Sequence, residues 1–179
     1  VVVVHGEASV RAALRGSVAT IEFVRQPQAN GSAEAALIGS TVIDGDFLVV
    51  AGDVVTDRAN LAAMLDTWGT GEMQACALVQ QLGEEKPNDW LVAQVKEGQL
   101  RGVWGHPREG EYRLTGIYAL SKEMVGYLRD NPGVMRQVPV GGMPPAEAEI
   151  AQSLQMMIDE GLEVITVEAS GFLVDLDKP

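Results

Sequence analysis

Residues 46–53 read Asp-Phe-Leu-Val-Val-Ala-Gly-Asp, and this stretch decides how the rest of the sequence is interpreted. Its central residues, 47–51, are all apolar, which is typical of a strand buried in a sheet that is covered on both faces. The strand leads directly into Gly52 and then into the carboxylate of Asp53. Such an acid often marks a cation or phosphate site, because Mg²⁺ prefers one or two carboxylates plus substrate oxygens. A turn cap is the other role open to Asp53.

On both sides of this stretch, apolar strands alternate with segments of helical periodicity. Before it, we predict strands at residues 1–4 and 21–24, each followed by a helix, at residues 8–15 and 32–37. After it come Thr56 and Asp57 as helix caps, then a helix with Leu61, Met64, Leu65 and Trp68 on one face, and a strand at residues 74–81. The order βαβαβα predicts an α/β fold.

The second half of the chain has a different pattern. The turn Lys96-Glu97-Gly98 joins two apolar runs, which predicts a β-hairpin from Trp90 to Trp104. Further strands are predicted at residues 112–120, 162–167 and 171–176. Helices are predicted at residues 121–128 and from Pro144-Pro145 to Gly161. The second of these helices has Ile150, Leu154, Met157 and Ile158 on one face. We expect one α/β domain over residues 1–179, doubly wound and Rossmann-like, with a mixed, mostly parallel sheet and an antiparallel insertion around residues 84–112. Ligands bind beyond the carboxyl ends of the strands in such sheets.

Composition and charge exclude several classes of protein. The chain has 25 acidic residues against 13 lysines and arginines, a formal net charge of −12, so a protein that binds nucleic acid through its phosphates is excluded. No apolar run reaches the roughly 20 residues that a membrane helix needs. The single Cys76 lies in an apolar stretch, which predicts a core thiol and a reducing, cytoplasmic location. The chain begins on four valines without Met, and we expect it to be the interior of a longer, N-terminally truncated sequence.

Two further segments could bind a ligand. Asp175 follows Phe172-Leu173-Val174 and therefore has a setting similar to that of Asp53. The loop from Gln26 to Gly31 lies between a predicted strand and a predicted helix, where backbone N–H groups can receive an anion. A turn residue and a solvated loop are the respective alternatives. The tryptophans and methionines fit packing in a core or a subunit interface, so a homo-oligomer is left open.

Taken in chain order, six segments resemble the sugar-1-phosphate nucleotidylyltransferases, the family that makes nucleoside-diphosphate sugars. In the first half, residues 1–14 are similar to the family's second strand and helix, Gln26-Pro27 through residues 31–35 are similar to its Gln…Gly-[Thr/Leu]-Ala segment, and residues 46–53 are similar to its Gly-Asp strand. In the second half, Thr115-Gly116-Ile117-Tyr118 is similar to the family's Gly-Ile-Tyr strand, and Glu147-Ala148-Glu149-Ile150 is similar to its Glu-x-Glu helix start. Residues 172–179 are similar to its Trp-x-Asp ending. The resemblance spans the whole chain.

The resemblance implies a magnesium-dependent transfer of a nucleoside monophosphate from a nucleoside triphosphate to a sugar-1-phosphate, which releases pyrophosphate. UTP or dTTP with a hexose-1-phosphate is the expected pair. Asp53 and Asp175 would be the catalytic residues and the Mg²⁺ ligands. The nucleotide would meet Gln26, Gly31, Ser32 and Gly52, and the sugar phosphate would meet Thr115, Gly116, His106 and Glu149, with Glu147 as the second choice after Glu149.

The chain departs from the family pattern in three places. The glycine-rich loop with its Arg and Lys belongs before Val1, and without it we expect little or no catalysis. The slot of the family's Glu-Lys-Pro holds Gly105-His106-Pro107, whereas Glu85-Lys86-Pro87 lies far upstream, so Lys86 is expected to be a solvated turn residue. The family's Thr-Asp is Ala151-Gln152 here. A non-catalytic domain that binds nucleotide sugars or serves as a regulatory or scaffold subunit is therefore the alternative; transfer to a non-sugar acceptor fits less well.

These interpretations give two geometric expectations. Asp53 and Asp175 should each end a strand at the same edge of the sheet, with their carboxylates close enough to share one Mg²⁺. His106 should face the ligand cleft and Lys86 should not.

Overall fold

The computed structural model describes residues 2–4, 7–69, 71, 73–105, 109–133 and 147–176. The helices are α1 (Glu7–Ala13), α2 (Ser32–Ser40), α3 (Arg58–Trp68), α4 (Met124–Arg129) and α5 (Ile150–Asp159), with a short 3-10 helix at Pro87–Asp89. The strands are β1 (Val2–Val4), β2 (Phe23–Arg25), β3 (Phe47–Val50), β4 (Val54–Thr56), β5 (Ala75–Gln81), β6 (Leu91–Lys96), β7 (Gln99–Gly105), β8 (Tyr112–Leu120), β9 (Val164–Glu168) and β10 (Leu173–Asp175).

Six strands form one sheet in the order β3-β8-β5-β9-β7-β6. Strand β6 also pairs with β8, through Val92 opposite Arg113, so five of these strands close on themselves as a small barrel and β3 lies outside it on β8. Two further pairs stand apart from this sheet: β1 with β2, and β4 with β10.

The mixed α/β class is confirmed, but the expectation of a mostly parallel sheet is wrong for the described strands. Among them, only β1–β2 and β5–β9 pair in parallel, and the other six pairings are antiparallel. The cause is β8, which follows the hairpin and inserts between β3 and β5, so that it runs against both of them. An apolar run favours burial but carries no information on the direction of its neighbour. The predicted burial of residues 47–51 is also only partly correct, because β3 is the end strand of this sheet, half-buried over residues 47–49 and exposed at Val50. The doubly wound arrangement stays a prediction.

The predicted hairpin is confirmed as β6 and β7. Its turn residues, Glu97 and Gly98, have φ angles of 54° and 73°. Two consecutive left-handed residues are what a tight two-residue hairpin turn requires, because its twist then matches that of the strands. Strand β4 was not predicted, and the Pro144-Pro145 start of the long helix lies outside the described residues.

The sheet has a hydrophobic core on each face. Ala77 and Val79 of β5 belong to the core under α2, α4 and α5, whereas Cys76 and Leu78 belong to the core under α3. This alternation shows that β5 is covered on both faces, and it confirms that Cys76 is a core thiol. No helix within the described part of the chain is long and apolar enough to cross a bilayer.

Candidate functional site

The pairing of β4 with β10 brings the backbones of the two predicted aspartates close together. Asp53 lies in the turn between β3 and β4, and Asp175 ends β10 directly opposite Val54. The Leu176 N–H donates a hydrogen bond to the carbonyl of Asp53 at 2.8 Å. Asp53 directly precedes Val54, the residue opposite Asp175, so the two aspartates lie at adjacent positions of the ribbon, and both are half-buried. They lie on this separate ribbon rather than at an edge of the main sheet.

Residues at the start of α3 hold β10 in that position. Asn60 is only 1% exposed; its amide donates to Thr56 Oγ1 at 2.8 Å and accepts from the Ser170 N–H at 2.8 Å. The carboxylate of Asp57 accepts from the Phe172 N–H at 2.8 Å and makes no cap bond to its own helix. Asp57 is the N-cap residue of α3, as predicted, but its side chain bonds Phe172 instead of the helix.

Asn60 was missed as a positioning residue although the sequence carries a signal for it. It lies four residues before Met64, so it shares the buried face of α3 that the helical spacing predicts. A polar side chain on such a face needs internal hydrogen-bond partners.

Gly116 lies against the residue that precedes the Gly52-Asp53 turn. Its carbonyl accepts from the Ala51 N–H at 2.9 Å, and its φ of +78° is in the left-handed region. A Cβ at this position would lie 2.9 Å from the Ala51 Cβ, so packing alone already requires glycine here. The hydroxyl of the neighbouring Thr115 is buried and donates to the Leu78 carbonyl at 2.9 Å, beside a register shift in β5.

The predicted nucleotide segment forms a hydrogen-bonded cluster at the start of α2. Gln26 is 7% exposed, and its Nε2 donates to the Gly31 carbonyl at 3.2 Å and to Glu34 Oε2 at 3.0 Å. Asn30 Nδ2 donates to the other Glu34 oxygen at 3.0 Å. Glu34 was not singled out from the sequence, and it connects both side chains.

The predicted sugar segment packs directly onto this cluster. Ser32 Oγ donates to Glu149 Oε2 at 2.5 Å and accepts from the Ile150 N–H at 3.0 Å. Two backbone bonds, from Ala33 N–H to Ala148 O at 2.7 Å and from Ala148 N–H to Asn30 O at 2.8 Å, run alongside. Residues assigned to separate substrates by resemblance therefore form one contiguous surface.

Gly31 is the point of closest approach between these two segments. Its φ is +102°, and a Cβ there would lie 2.7 Å from the backbone nitrogen of Ala148, closer than real Cβ contacts come. Any side chain at position 31 would force the two segments apart.

Electrostatics connect the Gly-Ile-Tyr strand to the same surface. Tyr118 is buried, and burial together with the nearby charge of Glu149 raises the pKa of its phenol. On the same strand, burial lowers the pKa of Arg113, while Glu85 and Asp175 oppose that shift. The carboxylates of Glu149 and Asp175 thus act on side chains of β8.

Arg113 was also missed by sequence reasoning. It is 3% exposed, its Nε and Nη2 donate to Gln80 Oε1 at 3.0 and 2.6 Å, and its Cζ lies 3.7 Å from the Trp90 ring centroid. Its Nε also lies 3.8 Å from Glu85 Oε2.

The remaining predicted residues are less informative. His106 lies outside the described residues, so the expectation that it faces a cleft is untested. Lys86 is exposed just before the 3-10 helix, Gly52 is exposed in the turn before Asp53, and Glu147 is half-buried next to Ala148.

The described ranges contain no group of three or more His, Cys, Asp or Glu side chains arranged to hold a metal ion. Asp53 and Asp175 supply two carboxylates, a donor set that suits Mg²⁺ when substrate oxygens and water complete its shell.

No family model and no curated protein matches the chain. It is similar over 97% of its length to a Bacillus anthracis protein assigned as a glucose-1-phosphate thymidylyltransferase, at 19% identity and a TM-score of 0.74. It is similar over its full length to the inositol-1-phosphate CTP transferase of T. maritima (15% identity, TM-score 0.79), and over 94% to a UDP-glucose pyrophosphorylase complexed with UDP-glucose (16%, 0.73). The chain spans 68%, 70% and 67% of those proteins, respectively. It therefore has the fold of the nucleotidyltransferases that act on sugar-1-phosphates and related phosphates.

Proposed function

We propose that this chain carries a nucleotidyltransferase domain that transfers a nucleoside monophosphate from a nucleoside triphosphate to a sugar-1-phosphate. UTP or dTTP with a hexose-1-phosphate is the proposed pair. The observation that carries the proposal is the β4–β10 pairing, which makes Asp53 and Asp175 neighbours beside Ala51 and Gly116. The fold shared with the structures above supports this assignment.

In this proposal Asp53 and Asp175 hold Mg²⁺. When bound, the ion would neutralise charge on the triphosphate and on the departing pyrophosphate. The donor chemistry fits, because both side chains are carboxylates, both are half-buried, and their backbones lie at adjacent positions of one ribbon. A partly exposed position leaves room for the phosphate and water oxygens that such an ion keeps.

The nucleotide would lie on the cluster at the start of α2, against Gln26, Gly31 and Ser32, with Gly52 at its phosphate end. The sugar phosphate would meet Glu149, with Glu147 as the second choice, together with Thr115, Gly116 and His106. The Ser32–Glu149 hydrogen bond supports this arrangement, because it places the two sets of residues side by side. Adjacent substrates are what an in-line attack of a sugar-phosphate oxygen on the α-phosphorus requires, since positioning supplies most of the rate in such reactions.

The proposal is tested in the full-length protein by replacing Asp53 with Asn. This change removes one charge without altering volume, so Mg²⁺-dependent pyrophosphate release should fall roughly 100-fold or more while the fold is retained. The matched control is Asp66→Asn, which makes the same change on the exposed face of α3. Pyrophosphate is assayed with several nucleoside triphosphates and hexose-1-phosphates, and the fold is checked by thermal unfolding.

Three other results would change the conclusion. Equal activity of Asp53→Asn and its parent would remove Asp53 from the chemistry. Binding of nucleotide sugars without pyrophosphate release by the parent would favour a non-catalytic binding or scaffold domain. Residues 1–179 alone should bind a nucleotide sugar weakly and release no pyrophosphate, and clear turnover by them would show that the glycine-rich loop is dispensable.

A further inference from the structure

The amide of Gln26 is held in one orientation by its surroundings. Both partners of its Nε2, Glu34 Oε2 and the Gly31 carbonyl, are oxygen atoms that can only accept hydrogen bonds. The amide nitrogen must therefore face them, because a flipped amide would direct its own oxygen at two acceptors. Its two N–H bonds are both used within the protein.

Glu34 is itself held in place from two directions. Asn30 donates to one of its oxygens and Gln26 to the other, both at 3.0 Å. Glu34 also lies in the first turn of α2, where the positive end of the helix dipole favours a carboxylate. A fixed carboxylate offers only acceptor oxygens, so together with the Gly31 carbonyl it favours the orientation in which the Gln26 nitrogen faces it.

The group that Gln26 can offer to a ligand is consequently its Oε1, an acceptor. An amide oxygen accepts two hydrogen bonds, so it can take one from a ligand in addition to one made within the protein. Uracil and thymine carry an N–H donor at ring position N3, whereas N3 of cytosine is an acceptor. An acceptor facing N3 pairs with the first two bases and repels the third.

We propose that Glu34 is a specificity-determining positioning residue, which turns the Gln26 amide so that the site selects uracil and thymine nucleotides over cytosine nucleotides. This inference depends on the proposed function, because it takes the start of α2 as the nucleotide site. The similar structures described above include enzymes of thymidylyl, uridylyl and cytidylyl transfer, so the fold by itself does not choose between these bases.

The test measures equilibrium binding of UTP, dTTP and CTP to the full-length protein in Mg²⁺ by calorimetry. The parent should prefer UTP and dTTP over CTP by roughly tenfold or more, because cytosine would leave a polar pair unsatisfied. In Glu34→Gln, position 34 can donate as well as accept, so only the Gly31 carbonyl still opposes a flip of the Gln26 amide, and the preference should fall by roughly threefold or more. The control, Glu22→Gln, makes the same charge change at an exposed position and should keep the preference.

A double exchange separates orientation from damage to the fold. Gln26→Glu combined with Glu34→Gln keeps one carboxylate and one amide in contact, and the carboxylate at position 26 has only acceptors. It should therefore retain the preference that Glu34→Gln alone loses. The Gly31 carbonyl loses its side-chain donor in this variant, so thermal unfolding is recorded for every variant. Loss of the preference in the double exchange would contradict the orientation argument.

The remaining outcomes distinguish the two proposals. Equal binding of all three nucleotides, or a preference for CTP, would overturn the role of Glu34 and leave the proposed function standing. An unchanged preference in Glu34→Gln would also overturn it. If the parent binds none of the three nucleotides, the proposed function fails and this inference fails with it.

Discussion

At the scale of single residues, the buried thiol of Cys76 and the buried phenol of Tyr118 should make the stability of the fold depend on alkaline pH. Burial raises the pKa of the Cys76 thiol from its ordinary value of 9.0 to about 11. The pKa of Tyr118 is raised as well, by burial and by the charge of Glu149. Both groups are neutral in the folded protein under conditions in which the unfolded chain already loses their protons.

The direction in which stability changes with pH follows from how many protons the folded and unfolded states bind. For Cys76, the stabilisation is fully present below about pH 9 and is lost as the pH rises towards about 11, because there the folded state binds more protons than the unfolded state. The loss for this group should be about 2 to 3 kcal/mol. Urea unfolding between about pH 8 and about pH 11 should show a flatter decline for Cys76→Ala than for the parent.

Tyr118→Phe should likewise flatten the alkaline decline, whereas Tyr112→Phe, at the half-buried start of β8, is the control. If Cys76→Ala and the parent decline in parallel, burial does not determine the titration of this thiol.

At the scale of elements, the start of α3 and the segment before β10 behave as one unit. Asn60 bonds both Thr56 of β4 and Ser170, and Asp57 bonds Phe172, so three elements are connected by two side chains. Gly171 belongs to the same connection: its φ is +70°, and a Cβ there would lie 2.6 Å from the Asp57 carboxylate. The position of Asp175 beside Asp53 depends on these contacts.

Asn60→Ala should therefore loosen β10. The change leaves the Ser170 N–H without its acceptor and should lower the free energy of unfolding by about 2 to 3 kcal/mol. Hydrogen exchange at Leu173–Asp175 should accelerate more than exchange in β5. Arg58→Ala, at an exposed position of the same helical turn, is the control. Equal acceleration in all strands would show that Asn60 supports general stability and not the ribbon.

At the scale of the whole molecule, Arg113 lies where the sheet closes, at the β6–β8 pairing. This side chain lies on β8, bonds Gln80 of the neighbouring β5, and stacks on Trp90 just before β6. A planar guanidinium can stack and donate two hydrogen bonds at once, and an ammonium cannot.

Arg113→Ala should lower the free energy of unfolding by about 2 to 4 kcal/mol, and Arg113→Lys should recover less than half of that loss. The measurement is urea unfolding together with hydrogen exchange of the β6 amides. Full recovery by lysine would mean that only the charge matters. Unchanged protection of β6 in Arg113→Ala would show that the closure does not need this side chain.

Much of the local structure could be read from the residues alone. Apolar runs and helical spacings predicted β3, β5, α3, α5 and the β6–β7 hairpin, because burial on a face repeats with the period of the element itself. The candidate carboxylates were predicted for the same reason: Asp53 and Asp175 each follow an apolar strand. Glu34, Asn60 and Arg113 gave weaker signals, since a lone polar residue becomes informative only when its partners are known.

Strand direction and strand pairing were decided only in the tertiary structure. Nothing local indicates that β8 lies between β3 and β5, or that β4 and β10 form a ribbon of their own, because each pairing joins segments far apart in the chain and depends on the packing of both faces. The Ser32–Glu149 contact joins residues 117 positions apart for the same reason. The sequence by itself determined most of the strands and the acids that follow them; the packing of those segments decided which strands pair and which acids lie on neighbouring positions.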